Sequence, residues 1–252
     1  MTRFVSRFVF GLVAFVLASL LVTEAGAWDA VFTKAVKDGV TGRPVAQLFL
    51  QSSDGKISPL TDLTSSNGMP SWSPDGTEIV FVSQRNGFPE IYVMDIRTRD
   101  VHSLGIQGEL PNVSKRYITY SAIVGNRPKV FVTARDGSSP ALELGIGGGS
   151  AISPDEKFVV FRASEEIQVV NIDGTNPLNL GLGSNPSFVN NNLIIFQRDK
   201  GIRSEVLVYD LNTHEEGFVV KGVSPSVTTD GWVVFADGGW FAIRLDGTGQ
   251  TL

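Results

Sequence analysis

A sequence period of close to forty residues is the feature that most restricts what this chain can fold into. Pro70-Ser71-Trp72-Ser73-Pro74-Asp75-Gly76 aligns with Pro111-Asn112-Val113-Ser114, with Gly149-Ser150-Ala151-Ile152-Ser153-Pro154-Asp155, with Pro186-Ser187-Phe188-Val189 and with Pro225-Ser226-Val227-Thr228-Thr229-Asp230-Gly231. The leading positions 70, 111, 149, 186 and 225 stand 41, 38, 37 and 39 residues apart. Self-similarity at a fixed period marks a repeat architecture, in which one supersecondary unit recurs and buries its face against its neighbours. After each start comes a β-branched pair and an aromatic: Ile79-Val80-Phe81, Ile118-Thr119-Tyr120, Val159-Val160-Phe161, Ile194-Ile195-Phe196 and Val233-Val234-Phe235, with threonine closing the second pair. These are strand formers at a constant offset.

A third strand follows a polar loop in each unit, at 91–95, 130–132, 167–170, 206–210 and 241–243. It leads into Asp136-Gly137, Asp173-Gly174 or Asp246-Gly247, pairs that supply the positive φ of a tight hairpin, or into Asp95-Ile96-Arg97-Thr98 and Asp210-Leu211-Asn212-Thr213. A short fourth strand is predicted at 101–104, 141–144, 177–180 and 218–220. Four strands in about forty residues is the content of one propeller blade. The stretch before Pro70 fits the template only from its second strand onward, through Val31-Phe32-Thr33, residues 45–50, the turn Asp54-Gly55 and Ile57-Ser58-Pro59-Leu60. The expectation is an all-β, six-bladed β-propeller of four-stranded antiparallel blades, the first lacking its innermost strand, with blades near 28–65, 66–106, 107–146, 147–182, 183–222 and 223–252. Neither end of the chain plainly supplies the absent strand. A β-sandwich would not require the same order of four elements to recur.

The segments Pro70-Ser71-Trp72-Ser73-Pro74-Asp75-Gly76-Thr77-Glu78-Ile79-Val80-Phe81 and Glu90-Ile91-Tyr92-Val93-Met94-Asp95 resemble the TolB-type propeller repeat, and Ile152-Ser153-Pro154-Asp155-Glu156-Lys157-Phe158-Val159-Val160-Phe161 is a second match. Other units depart from it: Ser114-Lys115-Arg116 and Val189-Asn190-Asn191-Asn192 replace the Ser-Pro-Asp-Gly turn. The resemblance implies a propeller used as a binding scaffold, and it marks the turn aspartates as repeat signature, not catalytic carboxylates. Full-length TolB proteins carry an additional α/β domain ahead of the propeller, so the expected likeness is to the propeller half alone.

Arg3 and Arg7, an apolar run over 8–22 and Ala25-Gly26-Ala27 read as a secretory signal over 1–27, cut before Trp28, with an uncleaved anchor as the alternative. A periplasmic or secreted location follows, with no membrane span left after cleavage. The chain has no cysteine, which excludes a lipid-attachment cysteine, a disulfide framework, a thiolate metal site and a cysteine nucleophile. Its net charge is −5, and −6 without residues 1–27, so a nucleic-acid partner is not expected.

No Gly-x-Ser-x-Gly elbow of an appended peptidase is present. Gly145-Ile146-Gly147-Gly148-Gly149-Ser150 departs from a dinucleotide fingerprint at its last position and reads as a flexible loop between blades. His102 and His214, the chain's two histidines, fall on an outer strand and in a turn, away from the axis, so no metal site is expected; nor is any cofactor or catalytic residue. Strand alternation brings the loops between second and third strands to the same rim as the entries to the first strands. There the reading places Arg85, Asn86, Phe88, Asn126, Arg127, Lys200 and Arg203 as a candidate surface for a protein or peptide partner. Two other readings stand beside it: an enzyme acting on carbohydrate or peptide through an acidic pair at the axial mouth, and a propeller whose first blade is completed by a partner's strand.

Overall fold

In the computed structural model, which describes residues 19–23, 27–201, 203–228, 231–245 and 250–251, the chain forms six four-stranded antiparallel sheets set in a ring. Each sheet is a simple meander, its strands hydrogen-bonded in the order in which the chain makes them. The second blade consists of Asn67–Trp72, Glu78–Ser83, Glu90–Asp95 and Val101–Gln107. The third runs from Glu109–Val113 to Leu142–Ile146, the fourth from Gly148–Ile152 to Leu178–Leu182, and the fifth from Ser184–Phe188 to Glu215–Lys221. The sixth begins at Val223–Val227 and ends on Gln250–Thr251, which pairs with Ala242 and Ile243. The expected turn at Asp246-Gly247, the residues Thr229 and Asp230, and most of the expected signal, residues 1–18 with Glu24, Ala25 and Gly26, lie outside the described residues.

Residues 28–65 supply only three strands of the first blade, as expected: Ala27–Lys37, Pro44–Gln51 and Ile57–Pro59. The inner position is taken from upstream. Ser19–Thr23 pairs antiparallel with the first of these, Ser19 opposite Val31 and Thr23 opposite Ala27. One end of the chain therefore does reach the absent strand, through residues that the sequence assigns to the export signal.

The repeated aromatic of the second strand fills the wedge between blades. Phe81, Tyr120, Phe161, Phe196 and Phe235 are all buried, three of them completely. Each sits in an apolar cluster that joins two adjacent sheets: Phe81 with Val31, Leu48 and Tyr92 between blades one and two, and Phe196 with Ala151, Val160 and Ile167 between blades four and five. Similar clusters join blades two to three, three to four, and five to six. At roughly 1.5–3 kcal/mol for each fully buried large apolar side chain, these wedges are the main force that holds sheet to sheet.

The glycine-rich stretch is a correction to the sequence reading. Gly145 and Ile146 end one strand and Gly148–Ile152 form the next, so the segment is the crossing from blade three to blade four, with no flexible loop. Gly147 lies so close to the following blade that a Cβ would stand 2.2 Å from the Arg162 carbonyl oxygen and 3.0 Å from the Phe161 ring. Gly108, Gly183 and Gly222 occupy the same crossing elsewhere, against Tyr120, Phe196 and Phe235 at 2.7, 2.7 and 2.6 Å. Just beyond each crossing the innermost strand slips register at a bulge, where Met69, Leu110, Gly149, Asn185 and Ser224 have positive φ. A left-handed residue that recurs in five blades belongs to the architecture.

At the opposite end of the ring, turn chemistry is self-contained. Asp54, Asp75, Asp95, Asp136, Asp155, Asp173 and Asp210 each accept a hydrogen bond from the amide two residues ahead, at 2.8–3.3 Å. Ser73 and Ser153 donate to their own turn aspartates at 2.6 and 2.8 Å. The third blade lacks such an aspartate, and its Ser114 instead donates at 2.7 Å to Glu156 of the fourth blade. Glu156 also accepts from the Arg116 amide at 2.7 Å and from Arg116 Nε at 2.5 Å, which ties the two blades together. It stands where the second blade has Gly76, and like that glycine has positive φ, 59° against 69°.

This arrangement sets two expectations for Glu156. Substitution by alanine leaves the left-handed strain in place and removes three hydrogen bonds, for a cost of about 2 kcal/mol. Glycine removes the same bonds but relieves the strain, so Glu156→Gly should be the less damaging by about 1 kcal/mol; urea denaturation of both variants checks the order. Burial works to raise the Glu156 carboxyl pKa, but the Arg116 guanidinium and amide and the Ser114 hydroxyl outweigh it and hold it below its ordinary value. A depressed folded-state pKa means that the stabilisation is present above the unfolded value and is lost as pH falls through the folded one. Thermal midpoints of the parent and Glu156→Gln should therefore differ at neutral pH and converge under acid.

Candidate binding rim

The loops between second and third strands and the crossings between blades share one end of the ring. The Gly108, Gly147, Gly183 and Gly222 amides at the crossings donate to the carbonyls of Pro89, Pro128, Glu165 and Ser204 in those loops. All seven residues singled out in the sequence lie on this end and are exposed, in blades two, three and five. Their chemistry divides them. Arg85 lies 4.4 Å from the Tyr92 ring centre and donates from Nε to Ser83 Oγ at 3.0 Å. Asn86 donates to Glu90 Oε2 at 2.7 Å and to the Tyr92 hydroxyl at 2.9 Å, while Ser103 donates to Glu90 Oε1. Glu90 is buried, and the Ser103 hydroxyl and the Asn86 amide hold its carboxyl below the ordinary carboxylate range. Arg85 and Asn86 are thus pinned to the scaffold, and they fix the loop that presents Phe88, 42% exposed at its tip.

In the third blade, Asn126 adopts φ 65° in the two-residue turn after Gly125, next to Arg127. In the fifth, Lys200 pairs with Glu205 at 2.7 Å and stands opposite Arg203 at the end of the hairpin. Arg127 and Arg203 have no ion pair among the described residues.

The same end carries a component that the sequence reading did not single out. Val40, Ile123 and Val124 are exposed in or beside the loops, at 94%, 71% and 45%. Leu63, Ile146, Leu182 and Val223 are exposed at the crossings. Among the described residues, the other large apolar side chains that are exposed are Ile57, Leu142 and Phe218, all on outer strands. Exposed apolar side chains thus recur around one end of the ring, which also carries Arg127, Lys200 and Arg203. The sequence signal for it was an apolar residue at the strand end beside three of the crossings, Ile146, Leu182 and Val223.

The described residues contain no group of three or more His, Asp or Glu side chains that could hold a metal ion. His102 and His214 are exposed, the latter with Nδ1 3.3 Å from the Tyr209 hydroxyl. The innermost strands carry one carboxylate between them, Glu109. A shallow cleft of about 560 Å³ on the aspartate-turn end is lined by Lys115, Arg116, Tyr117 and Arg135, but Arg116 is committed to Glu156 and Arg135 to Glu78.

Comparison with known proteins agrees with this architecture. No family model matches the chain. A Tol-Pal system protein TolB of Cereibacter sphaeroides is 33% identical over 96 residues, which cover 38% of this chain and 22% of that protein. The crystal structure of TolB from Acinetobacter baumannii superposes with a TM-score of 0.69 at 18% identity, over 86% of this chain and 61% of that one. An oligogalacturonate lyase in complex with manganese shares the fold, with a TM-score of 0.61 at 11% identity over 93% of this chain and 83% of its own. The chain is a TolB-like six-bladed propeller, and its matched stretch spans about a fifth of the length of the curated TolB relatives.

Proposed function

We propose that this TolB-like propeller is an exported, non-catalytic scaffold that binds a protein or peptide partner through the rim formed by its loops and blade crossings. The observation that carries the reading is the contrast between the two ends of the ring. One end is built from aspartate turns that satisfy their own hydrogen bonds, whereas the other exposes Val40, Phe88, Ile123, Leu182 and Val223 among Arg127, Arg203 and Lys200. Apolar anchors ringed by polar and cationic groups are the composition of a protein-binding patch. The signal read over 1–27 supports a periplasmic or secreted location. The relatives named as Tol-Pal system proteins fit that reading.

An enzymatic role for the axial mouth has less to stand on. A two-carboxylate glycosidase needs its acids about 5–10 Å apart, and the described innermost strands carry one acid, Glu109. The lyase shares the sheet arrangement, and shared fold says little of shared chemistry.

The rim is tested with tagged full-length chain recovered from the envelope of the native cell. Phe88→Asp together with Leu182→Asp should reduce partner capture by at least tenfold. Both residues are exposed, so the thermal midpoint of the double variant should stay near the parent's. Undiminished capture by this variant counts against the rim.

A further inference from the structure

The inner edge of the first blade is the one place where the fold draws on residues that export would remove. Ser19–Thr23 pairs there with residues 27–31, in the position that Asn67–Trp72, Glu109–Val113 and their equivalents occupy in the other blades. Those same five residues belong to the apolar run of the signal, upstream of the Ala25-Gly26-Ala27 cleavage motif. They cannot both leave with the signal and remain as the inner strand.

We infer that signal removal turns this edge into a strand-receiving site, which takes an extended, uncharged, apolar segment of a partner protein in antiparallel register with residues 28–31. The inference rests on the export reading and adds a second binding site to the rim. Two observations carry it. The segment seated there, Ser-Leu-Leu-Val-Thr, pairs in antiparallel register and carries no charge. The edge also stands at the seam of the ring, because the described residues form apolar clusters between successive blades from one to six but none between the sixth and the first. An unpaired inner edge leaves backbone amides and carbonyls open, and addition of a strand satisfies them through the main chain, with side-chain pockets supplying preference.

The test starts from full-length chain exported by a bacterial host and purified from outside the cytoplasm. Intact mass reports whether residues 1–27 are gone. Amide hydrogen exchange over 28–31 is then followed with and without a synthetic peptide of the Ser19–Thr23 sequence flanked by lysines, and with a control peptide carrying Leu21→Pro. Open amides that become at least tenfold slower to exchange with the first peptide and not with the second support the site. Amides already protected without peptide, through a second copy or otherwise, overturn it, as does exchange that the peptide leaves unchanged. A processed chain that fails in exchange sinks the strand site and leaves export and the rim intact. A chain that keeps residues 1–27 occupies its own edge and sinks the strand site together with cleavage.

Discussion

Gly147→Ala is expected to cost at least about 3 kcal/mol, enough to bring a domain of ordinary stability close to its unfolding threshold. The added methyl meets the Arg162 carbonyl oxygen at 2.2 Å, and backbone cannot step aside as a side-chain tip can. Relief requires blades three and four to part along the crossing, which loosens the wedge around Phe161, Ile152 and Val132. Overpacking of a filled core costs about 1–3 kcal/mol, and the φ of +155° at this position adds strain for any residue with a Cβ. Gly105→Ala is the control: φ is also positive there, at +69°, but nothing lies within 4 Å of the added atom. It should cost about 1 kcal/mol. Urea midpoints that fail to separate the two variants would mean that the blades are not packed at the crossing as described.

Phe196→Ala is the second large expectation, at about 3–5 kcal/mol. The ring is fully buried between blades four and five, among Ile167, Val169, Leu180 and Leu207, with Gly183 pressed against its edge. Because that glycine could not bear a methyl against the intact ring, where the contact would be 2.7 Å, the two positions are coupled. Gly183→Ala should therefore be partly rescued in the Phe196→Ala background, although its approaches of 2.9 Å to the Ile167 side chain and 3.1 Å to the Gln197 carbonyl remain. Strict additivity in a double-mutant cycle would contradict the shared packing.

The fold was legible because a propeller repeats its order of strands, and the Pro-Ser start, the β-branched pair and the aromatic recur at offsets that survive divergence elsewhere. Burial of Phe81, Phe161 and Phe196 follows from that pattern alone. Three things were not legible. Gly147 was hidden in a run of glycines that looks like a loop, although Gly108, Gly183 and Gly222 stand at the same place before their aromatics; only the closeness of the next blade explains the residue. Glu156 looked like one more turn residue, and its bond to Ser114 crosses between blades, beyond the reach of any local motif. Ser19–Thr23 was read for its hydrophobicity, which a signal and a strand share. At the rim, Arg85, Asn86, Phe88, Asn126, Arg127, Lys200 and Arg203 share one end of the ring. What pairs Arg85 to Tyr92 and Lys200 to Glu205 depends on side-chain geometry, as does the exposure of Ile123 and Leu182.

The most direct test of a scaffold that works through one face is site-specific photocrosslinking in the native compartment. A photoreactive residue is placed at Phe88 or Leu182 on the rim, and at Asp136 or Thr175 on the aspartate turns of the other end. Capture of one discrete protein from the two rim positions, and none from the turn positions, is the expected result. Equal capture from both ends, or capture only from the turns, would contradict the account.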